Sequence, residues 1–327
     1  MEKQGAQKPV WLKKSWLETD EMREVEALVR ELGLNTVCRE ASCPNRSECF
    51  GRGVATFMIL GANCTRSCGF CGVTCSTPEG VDPEEPLRVA EAVKRLGLGY
   101  IVVTSVTRDD LADGGAAQFA KTVREIRRLS PGTRIETLIP DFGGSEASLD
   151  LVIESAPDVI SHNMETVRAL YAKARPQADY DTSLGVLRRI AARGADGAGE
   201  AGYGNGVEAS YGNGVETSYG NGGAADNARG GQDGGARAVR CKSGFMVGVG
   251  ETNAQILELM DDLRAAGCTM LTIGQYLRPS PENIPVEEYI EPETFDRLAA
   301  EARSRGFEFV ASAPFVRSSY HAEEAFA

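Results

Sequence analysis

The stretch Thr56-Phe-Met-Ile-Leu-Gly61-Ala-Asn-Cys64-Thr-Arg-Ser-Cys68-Gly-Phe-Cys71 runs an uncharged apolar segment straight into three cysteines spaced C-x3-C-x2-C. Thr56–Leu60 has the length and composition of a buried strand. Gly61, Gly69 and Gly72 leave the backbone after it free to wrap. Runs of the same kind recur at Tyr100–Thr104, Arg134–Ile139, Asp158–His162, Ser243–Val249, Met270–Gly274 and Phe307–Ala311. Between them lie amphipathic segments: Phe119, Val123 and Ile126, or Ile256, Leu259, Met260 and Leu263, repeat with helical period. Strands alternating with helices long enough to cross back predict a parallel sheet with helices outside. Six or seven such units are too many for a small flavodoxin-like domain, and the eight of a closed barrel cannot be counted. An α/β fold of partial-barrel type is expected over residues 53–327.

Residues 1–52 form an N-terminal extension whose one periodic stretch, Glu18 to Leu32, places Met22, Val25, Leu28, Val29 and Leu32 on a helical face before a cysteine-rich loop. Residues 194–239 break the pattern: 15 of 46 are Gly, and Tyr-Gly-Asn-Gly repeats at Tyr203, Tyr211 and Tyr219. So few aliphatic side chains cannot offset the ordering entropy, which predicts a disordered surface insertion. It would join a helix ending near Ala192 to a strand beginning near Cys241, where a long loop costs little.

The 327 residues are 42% hydrophobic and 25% charged, enough for a packed core. The net charge, 35 − 47 = −12, repels phosphate and argues against a nucleic-acid or anionic-membrane partner. No apolar run is long enough to span a bilayer, and Met1 to Asp20 mixes Lys, Glu and Trp, so neither a membrane span nor a secretory signal is expected. Six of nine cysteines crowd into residues 38–71, with a seventh at Cys75. In a chain of this length that pattern points to metal or redox chemistry in a reducing cytoplasm rather than to a disulfide framework.

Three thiolates at Cys64, Cys68 and Cys71 would leave one iron of a [4Fe–4S] cube without a protein ligand, and an open iron can bind substrate. A zinc knot is the competing reading. It usually needs two C-x-x-C pairs or matched histidines, and His162 and His321 are the only histidines. A chance cluster of buried thiols would not normally occupy a charged, Gly-rich loop.

This spacing, with Phe70 before the third cysteine, resembles the signature of the radical S-adenosylmethionine superfamily. The resemblance implies a partial (β/α)6-type barrel, with S-adenosylmethionine chelated to the open iron and cleaved to a 5′-deoxyadenosyl radical. Upstream, Cys38, Cys43 and Cys49 form a second trio, C-x4-C-x5-C, which implies a second cluster. Near the C-terminus Arg317-Ser-Ser-Tyr320 offers hydroxyls to complete it. The combination resembles the lipoyl synthase family, as do Ala55–Gly61, Val103–Gly115, His162–Thr166 and Thr272–Tyr276. The likeness runs from about Lys8 to Glu324, outside 194–239.

In that family the serine next to the tyrosine ligates the auxiliary cluster, which selects Ser319 here, with Arg317 beside it in a catalytic role. An oxygen ligand should be the weakest bond of such a cluster, letting one iron leave as sulfur is surrendered. Two departures stand out: Cys241 precedes Lys-Ser-Gly where the family commonly has Thr, and Cys75 is extra. Both, with Cys268, are read as structural or incidental thiols.

Polar residues at predicted strand ends are candidates for holding S-adenosylmethionine, because barrel enzymes place chemistry at the C-terminal edge. Phe70, Thr104, Asn163 and Glu165 are assigned to that role; a carboxylate at Glu165 would accept from ribose hydroxyls, and Arg175 and Lys242 would meet the cofactor carboxylate. Ser105, Asp109 and Asp110 share the edge, and His162 reads as a hydrogen-bonded strand-end residue. Tyr276 to Pro281, with Arg278, is expected to shape a substrate channel.

The resemblance implies a cytoplasmic enzyme that inserts two sulfurs, at C6 and C8, into an octanoyl chain on a lysine of a lipoyl carrier domain. Implied carriers are 2-oxo acid dehydrogenase acyltransferase subunits and the glycine-cleavage H protein. A donor such as ferredoxin or flavodoxin would supply electrons, and an iron–sulfur carrier would renew the cluster. Two alternatives are another sulfur-inserting radical enzyme acting on a free small molecule, and an electron-transfer protein with two clusters and no catalysis.

Overall fold

The computed structural model describes residues 8–13, 19–41, 43–51, 56–195 and 238–326. The bulk of the predicted insertion, residues 196–237, lies outside them. The sheet has eight strands in sequential order: β1 (Asn35–Thr36), β2 (Thr56–Ile59), β3 (Tyr100–Ser105), β4 (Arg134–Leu138), β5 (Val159–Ser161), β6 (Arg240–Val247), β7 (Met270–Gln275) and β8 (Phe309–Ser312). Strands β2 to β8 are parallel, and β1 runs antiparallel to β2 with Thr36 opposite Phe57. The seven parallel strands are the upper of the two counts expected. Because β1 and β8 do not pair, the barrel stays open.

Helices α1 (Asp20–Glu31), α2 (Val37–Glu40), α3 (Arg46–Gly51), α4 (Glu85–Leu96), α5 (Ala116–Leu129), α6 (Glu146–Glu154), α7 (Tyr171–Ala174), α8 (Tyr180–Ala195), α9 (Asn253–Ala265) and α10 (Pro292–Ser304) complete the described elements. Local chemistry sets their ends. Thr19 caps α1, accepting from the Met22 amide at 3.2 Å, with Asp20 and Glu21 favourable against the helix dipole. In α9, Thr252 and Gln255 form a reciprocal capping box. Gly97, left-handed at φ 62°, stops α4. Helix α8 continues three residues past the expected Ala192.

Two apolar layers result. The larger joins outward strand residues such as Phe57, Ile101, Ile135 and Ile160 to helix residues such as Val93, Phe119 and Leu187. The smaller lies inside the barrel: Val159, Met270, Phe309 and Ala311 surround Val316. Burying each large side chain contributes roughly 1.5–3 kcal/mol. The inner layer shows that the C-terminal segment enters the barrel from below. Phe326 packs beneath it, with Arg134 4.4 Å and Arg240 5.1 Å from its ring centroid and Tyr100 5.9 Å away. Those three residues open β4, β6 and β3, so the tail covers the N-terminal mouth of the barrel.

Two strand glycines keep the interior clear, and Gly274 is the one that admits the tail. A Cβ on Gly274 of β7 would collide with the Val316 carbonyl, and one on Gly244 of β6 with the Thr272 hydroxyl. Gly274→Ala is therefore expected to lower stability by ~1–3 kcal/mol in urea denaturation. Gly99→Ala, with open space around the new methyl and no left-handed backbone, is expected to stay within about 0.5 kcal/mol of the unsubstituted chain.

Candidate active site

The loop carrying Cys64, Cys68 and Cys71 leaves the upper end of β2 through two left-handed residues, Leu60 at φ 70° and Gly61 at φ 92°. A non-glycine residue there costs free energy and persists only where the surroundings enforce it. They do: the Leu60 amide donates to the buried Glu85 carboxylate at 2.9 Å, and Arg108 donates to the Leu60 carbonyl at 3.3 Å. Cys64 Sγ accepts from the Thr107 and Arg66 amides at 3.3 and 3.5 Å, and Cys71 Sγ from the Val73 amide at 3.4 Å.

Arg66, inside the cysteine motif, is clamped between two carboxylates from the ends of neighbouring strands. It bonds Asp109 at 2.8 Å through two nitrogens and Asp141 at 2.7 and 2.8 Å. Burial alone would raise the Asp141 pKa, but the Arg66 guanidinium brings it down to about 2. Three further braces hold the loop. Gln177 accepts from the Ser67 amide at 2.7 Å, the Ala174 carbonyl from the Gly69 amide at 2.8 Å, and Asn283 donates to the Gly69 and Cys71 carbonyls at 3.2 and 2.9 Å. Asn283 lies just past the Tyr276–Pro281 segment expected to shape a channel, and Tyr276 itself donates to the Ile284 carbonyl at 2.8 Å.

Around this loop stand the residues expected to hold S-adenosylmethionine. Arg175 is buried, donates to the Asn163 carbonyl at 2.9 Å and the Tyr171 hydroxyl at 2.6 Å, and approaches Asp141 at 3.9 Å. Glu165 is half-buried with a left-handed backbone at φ 69°; burial raises its pKa against Arg175, Asn163 and Arg317. Phe70 is half-buried between Cys68 and Cys71. Thr104 is buried, and its hydroxyl is spent on the Leu138 carbonyl at 2.8 Å. Asp110 pairs with Arg108, and the Ser105 hydroxyl is buried without a partner. His162 donates from Nδ1 to the Ile139 carbonyl at 2.9 Å, and burial lowers its pKa to about 4, so the ring is neutral at pH 7.

Lys242 is a correction. Its ammonium is fully buried and spends its donors on both Glu136 oxygens at 2.9 Å and on the Ser318 carbonyl at 2.6 Å. No donor is left for a cofactor carboxylate, because an ammonium has three. The Cys241 and Cys268 thiols are buried and bond backbone carbonyls, whereas Cys75 is exposed beside Cys64.

The second trio lies at the opposite end of β2. Cys38 follows Thr36, whose strand runs antiparallel, and so sits beside Thr56. Cys38, Cys43, Cys49, Thr56, Arg317 and Ser319 line one cavity. Asn45 donates to the Phe315 carbonyl at 2.7 Å, and the Tyr320 hydroxyl to Glu48 at 2.8 Å, tying the tail to the cysteine helix. Thr56 donates to Ser319 Oγ at 2.8 Å. Burial pushes the Cys38 pKa up to about 11 and the Cys71 pKa up to about 12, so both thiols must give up protons to any metal.

Among the described residues no three Cys, His, Asp or Glu side chains converge as the ligands of one ion must. Thiols arranged around a cavity suit a larger group such as an iron–sulfur cube. Arg317 lies between the two sites: it lines the lower cavity, interacts with both Cys43 and Glu165, and donates to the carbonyl of its own neighbour, Val316, at 2.6 Å.

Residues 58–207 match the family model of the radical SAM superfamily. The chain is 46% identical to the lipoyl synthase of Caldanaerobacter subterraneus subsp. tengcongensis, covering 97% of this chain and 96% of that one. It is 47% identical to that of Citrifermentans bemidjiense, over 97% and 94%. Two solved structures share the fold. HydG, a maturase of the [FeFe]-hydrogenase, has a TM-score of 0.52 at 14% identity, over 82% of this chain and 58% of that one. Streptococcus suis SuiB bound to S-adenosylmethionine has 0.51 at 12%, over 88% and 60%.

The Arg66 clamp carries a pH-dependent test. A depressed carboxylate pKa adds stability above its unfolded value and loses it as pH falls through the folded value. Asp141→Asn is expected to cost about 1–3 kcal/mol at pH 7. In urea titrations the gap to the unsubstituted chain should hold down to about pH 5 and close as pH falls from there towards about 2. A gap that is undiminished at pH 2.5 contradicts the ion pair.

Proposed function

The chain belongs to the lipoyl synthase family within the radical S-adenosylmethionine superfamily, and on that premise we propose how its residues divide the reaction. The activity is sulfur insertion to form the lipoyl group on a lipoyl carrier protein. When bound, the [4Fe–4S] clusters and S-adenosylmethionine supply C–H activation and sulfide for the C6 and C8 positions of an octanoyl-lysine. Cys64, Cys68 and Cys71 hold one cluster, and Cys38, Cys43, Cys49 and Ser319 hold the other. The observation that carries this assignment is that a serine from residue 319 and three cysteines from an extension more than 250 residues earlier line one cavity.

The remaining side chains orient and exclude. Glu165 and Asn163, at the upper edge, are assigned to the polar face of S-adenosylmethionine, with Arg175 as the fixed cation for its carboxylate. Thr104 and Phe70 form part of its wall. Thr56, which the sequence reading passed over, donates to Ser319 Oγ and so stabilises that oxygen whether or not it holds iron. Arg317 supplies the positive charge between the two sites. The two trios are reached from opposite ends of β2, a strand of four residues or roughly 13 Å.

We further propose carriers of the 2-oxo acid dehydrogenase acyltransferase and glycine-cleavage H protein type, electrons from a ferredoxin or flavodoxin, cluster renewal by an iron–sulfur carrier, and a cytoplasmic setting. Among the described residues no helix is long and apolar enough to cross a membrane.

Anaerobic reconstitution tests the division of ligands. The unsubstituted chain should bind about eight irons, and Cys38→Ala about four while still cleaving S-adenosylmethionine. Cys64→Ala should also bind about four but cleave none. Incubation with octanoyl-lysine peptide should add the mass of two sulfurs less two hydrogens only in the unsubstituted chain. Eight irons in Cys38→Ala would remove the lower site from the assignment.

A further inference from the structure

The serine that the proposed ligand set requires sits on a segment threaded into the barrel, and its hold there is unusual. Gly274 of β7 leaves room that a side chain would fill, and the Val316 carbonyl and the Arg317 guanidinium occupy it. Val316 meets an apolar lining of Val159, Met270, Phe309 and Ala311. Into that lining β6 projects one ammonium, Lys242, wholly shielded from solvent, and β4 one carboxylate, Glu136, equally shielded. Glu136 also accepts from the Tyr100 hydroxyl at 2.6 Å, and Lys242, with two protons on the Glu136 oxygens, gives its third to the Ser318 carbonyl at 2.6 Å. Ser318 is bound a second time, its hydroxyl donating to Asn163 Oδ1 at 3.2 Å.

A buried ion pair gives little net stability over well-packed apolar residues of similar size. Its presence inside the barrel therefore asks for a function other than holding the sheet together. The one feature it adds is a charge-assisted bond to the peptide group immediately before Ser319. We propose that Lys242, neutralised and aimed by Glu136, is the positioning residue that sets Ser319 against the lower cavity, a role that rests on Ser319 being a ligand there. The tether fixes the backbone and leaves the Ser319 side chain free to come off iron and return to the same place. Reach explains the residue type: the ammonium must cross from the β6 backbone to both Glu136 and the tail, and a shorter neutral side chain meets at most one of them.

The test uses the anaerobically reconstituted full chain in four forms: unsubstituted, Lys242→Met, the charge-free pair Glu136→Gln/Lys242→Met, and Ser319→Ala. Hydrogen exchange over residues 315–320 and the rate at which a chelator strips iron are read together. Lys242→Met is expected to raise exchange over 315–320 about tenfold, the loss of one charge-assisted hydrogen bond. It should speed release of half the iron by a similar factor, with exchange over β7 and release of the other half unchanged. If the orphaned Glu136 carboxylate unfolds that variant, the charge-free pair gives the same reading without a buried unpaired charge. Normal exchange and normal iron release in the charge-free pair overturn the tether. Ser319→Ala separates the two ideas: unchanged iron release in that variant overturns the ligand reading, whereas faster release there with normal release in the Lys242 variants overturns the tether alone.

Discussion

A strand can present ligands only at its two ends, and β2 is four residues long. Cys64 leaves its upper end and Cys38 is brought to its lower end by the antiparallel pairing of Asn35–Thr36. The two cysteine trios are therefore held a fixed and short distance apart by one of the most buried strands of the sheet, in which all four residues are solvent-shielded. Everything else in the site follows from keeping those ends in place. The upper loop is fastened by hydrogen bonds from its backbone and by the Arg66 clamp on Asp109 and Asp141. The lower trio is joined in its cavity by Ser319, which the C-terminal tail brings in through the lower mouth of the barrel.

Charge inside this assembly is compensated pair by pair rather than diluted by solvent. Arg66 stands against Asp109 and Asp141, Arg175 near Asp141, and Lys242 against Glu136. In a low-dielectric interior each of these would be costly alone. Arg317 is handled differently: burial lowers its pKa, and only Cys43 and Glu165 favour its charge. A cation with little compensation, placed between two sites that bind anionic groups, strengthens its attraction to whatever anion enters. The net charge of −12 thus says little about the site, whose local field is set by three arginines and their partners.

Much of this was legible in the sequence. Parallel strands show as continuous apolar runs because both faces are buried, and the thiol spacing within each trio is local information. Strand boundaries fell within a few residues, as at β6, which starts at Arg240 rather than Ser243 because its first residues pair with β5 although they are polar. The two-residue β1 was not legible, since so short a pairing leaves no periodicity. Nor were the braces: Asn283 meets the cysteine loop across 212 positions of sequence, and Lys242 meets Glu136 across 106. Lys242 was misread for a physical reason. A lysine near a strand end looks like a free cation until the carboxylate opposite it is known, and its position in the barrel interior is fixed by register, not by its neighbours in sequence. Arg66 and Asp141 were within reach: one lies inside the motif, the other two residues past a predicted strand.

The tail also explains why a serine can serve where a fourth cysteine might be expected. A thiolate at position 319 would bind iron firmly and need no help from the chain. An oxygen ligand binds less firmly, so its occupancy depends on how little entropy is lost when it docks, and a prepositioned backbone lowers that loss. The Lys242 bond to the Ser318 carbonyl, the Asn163 bond to the Ser318 hydroxyl and the Glu48 bond to the Tyr320 hydroxyl flank Ser319 on both sides. With the neighbours fixed, only the Ser319 side chain would have to move to reach or leave a metal, and Thr56 already donates to its oxygen at 2.8 Å. Weak coordination and rigid delivery would thus be complementary: in the proposed ligand set the first would let Ser319 release iron, and the second would return the same serine to the cavity.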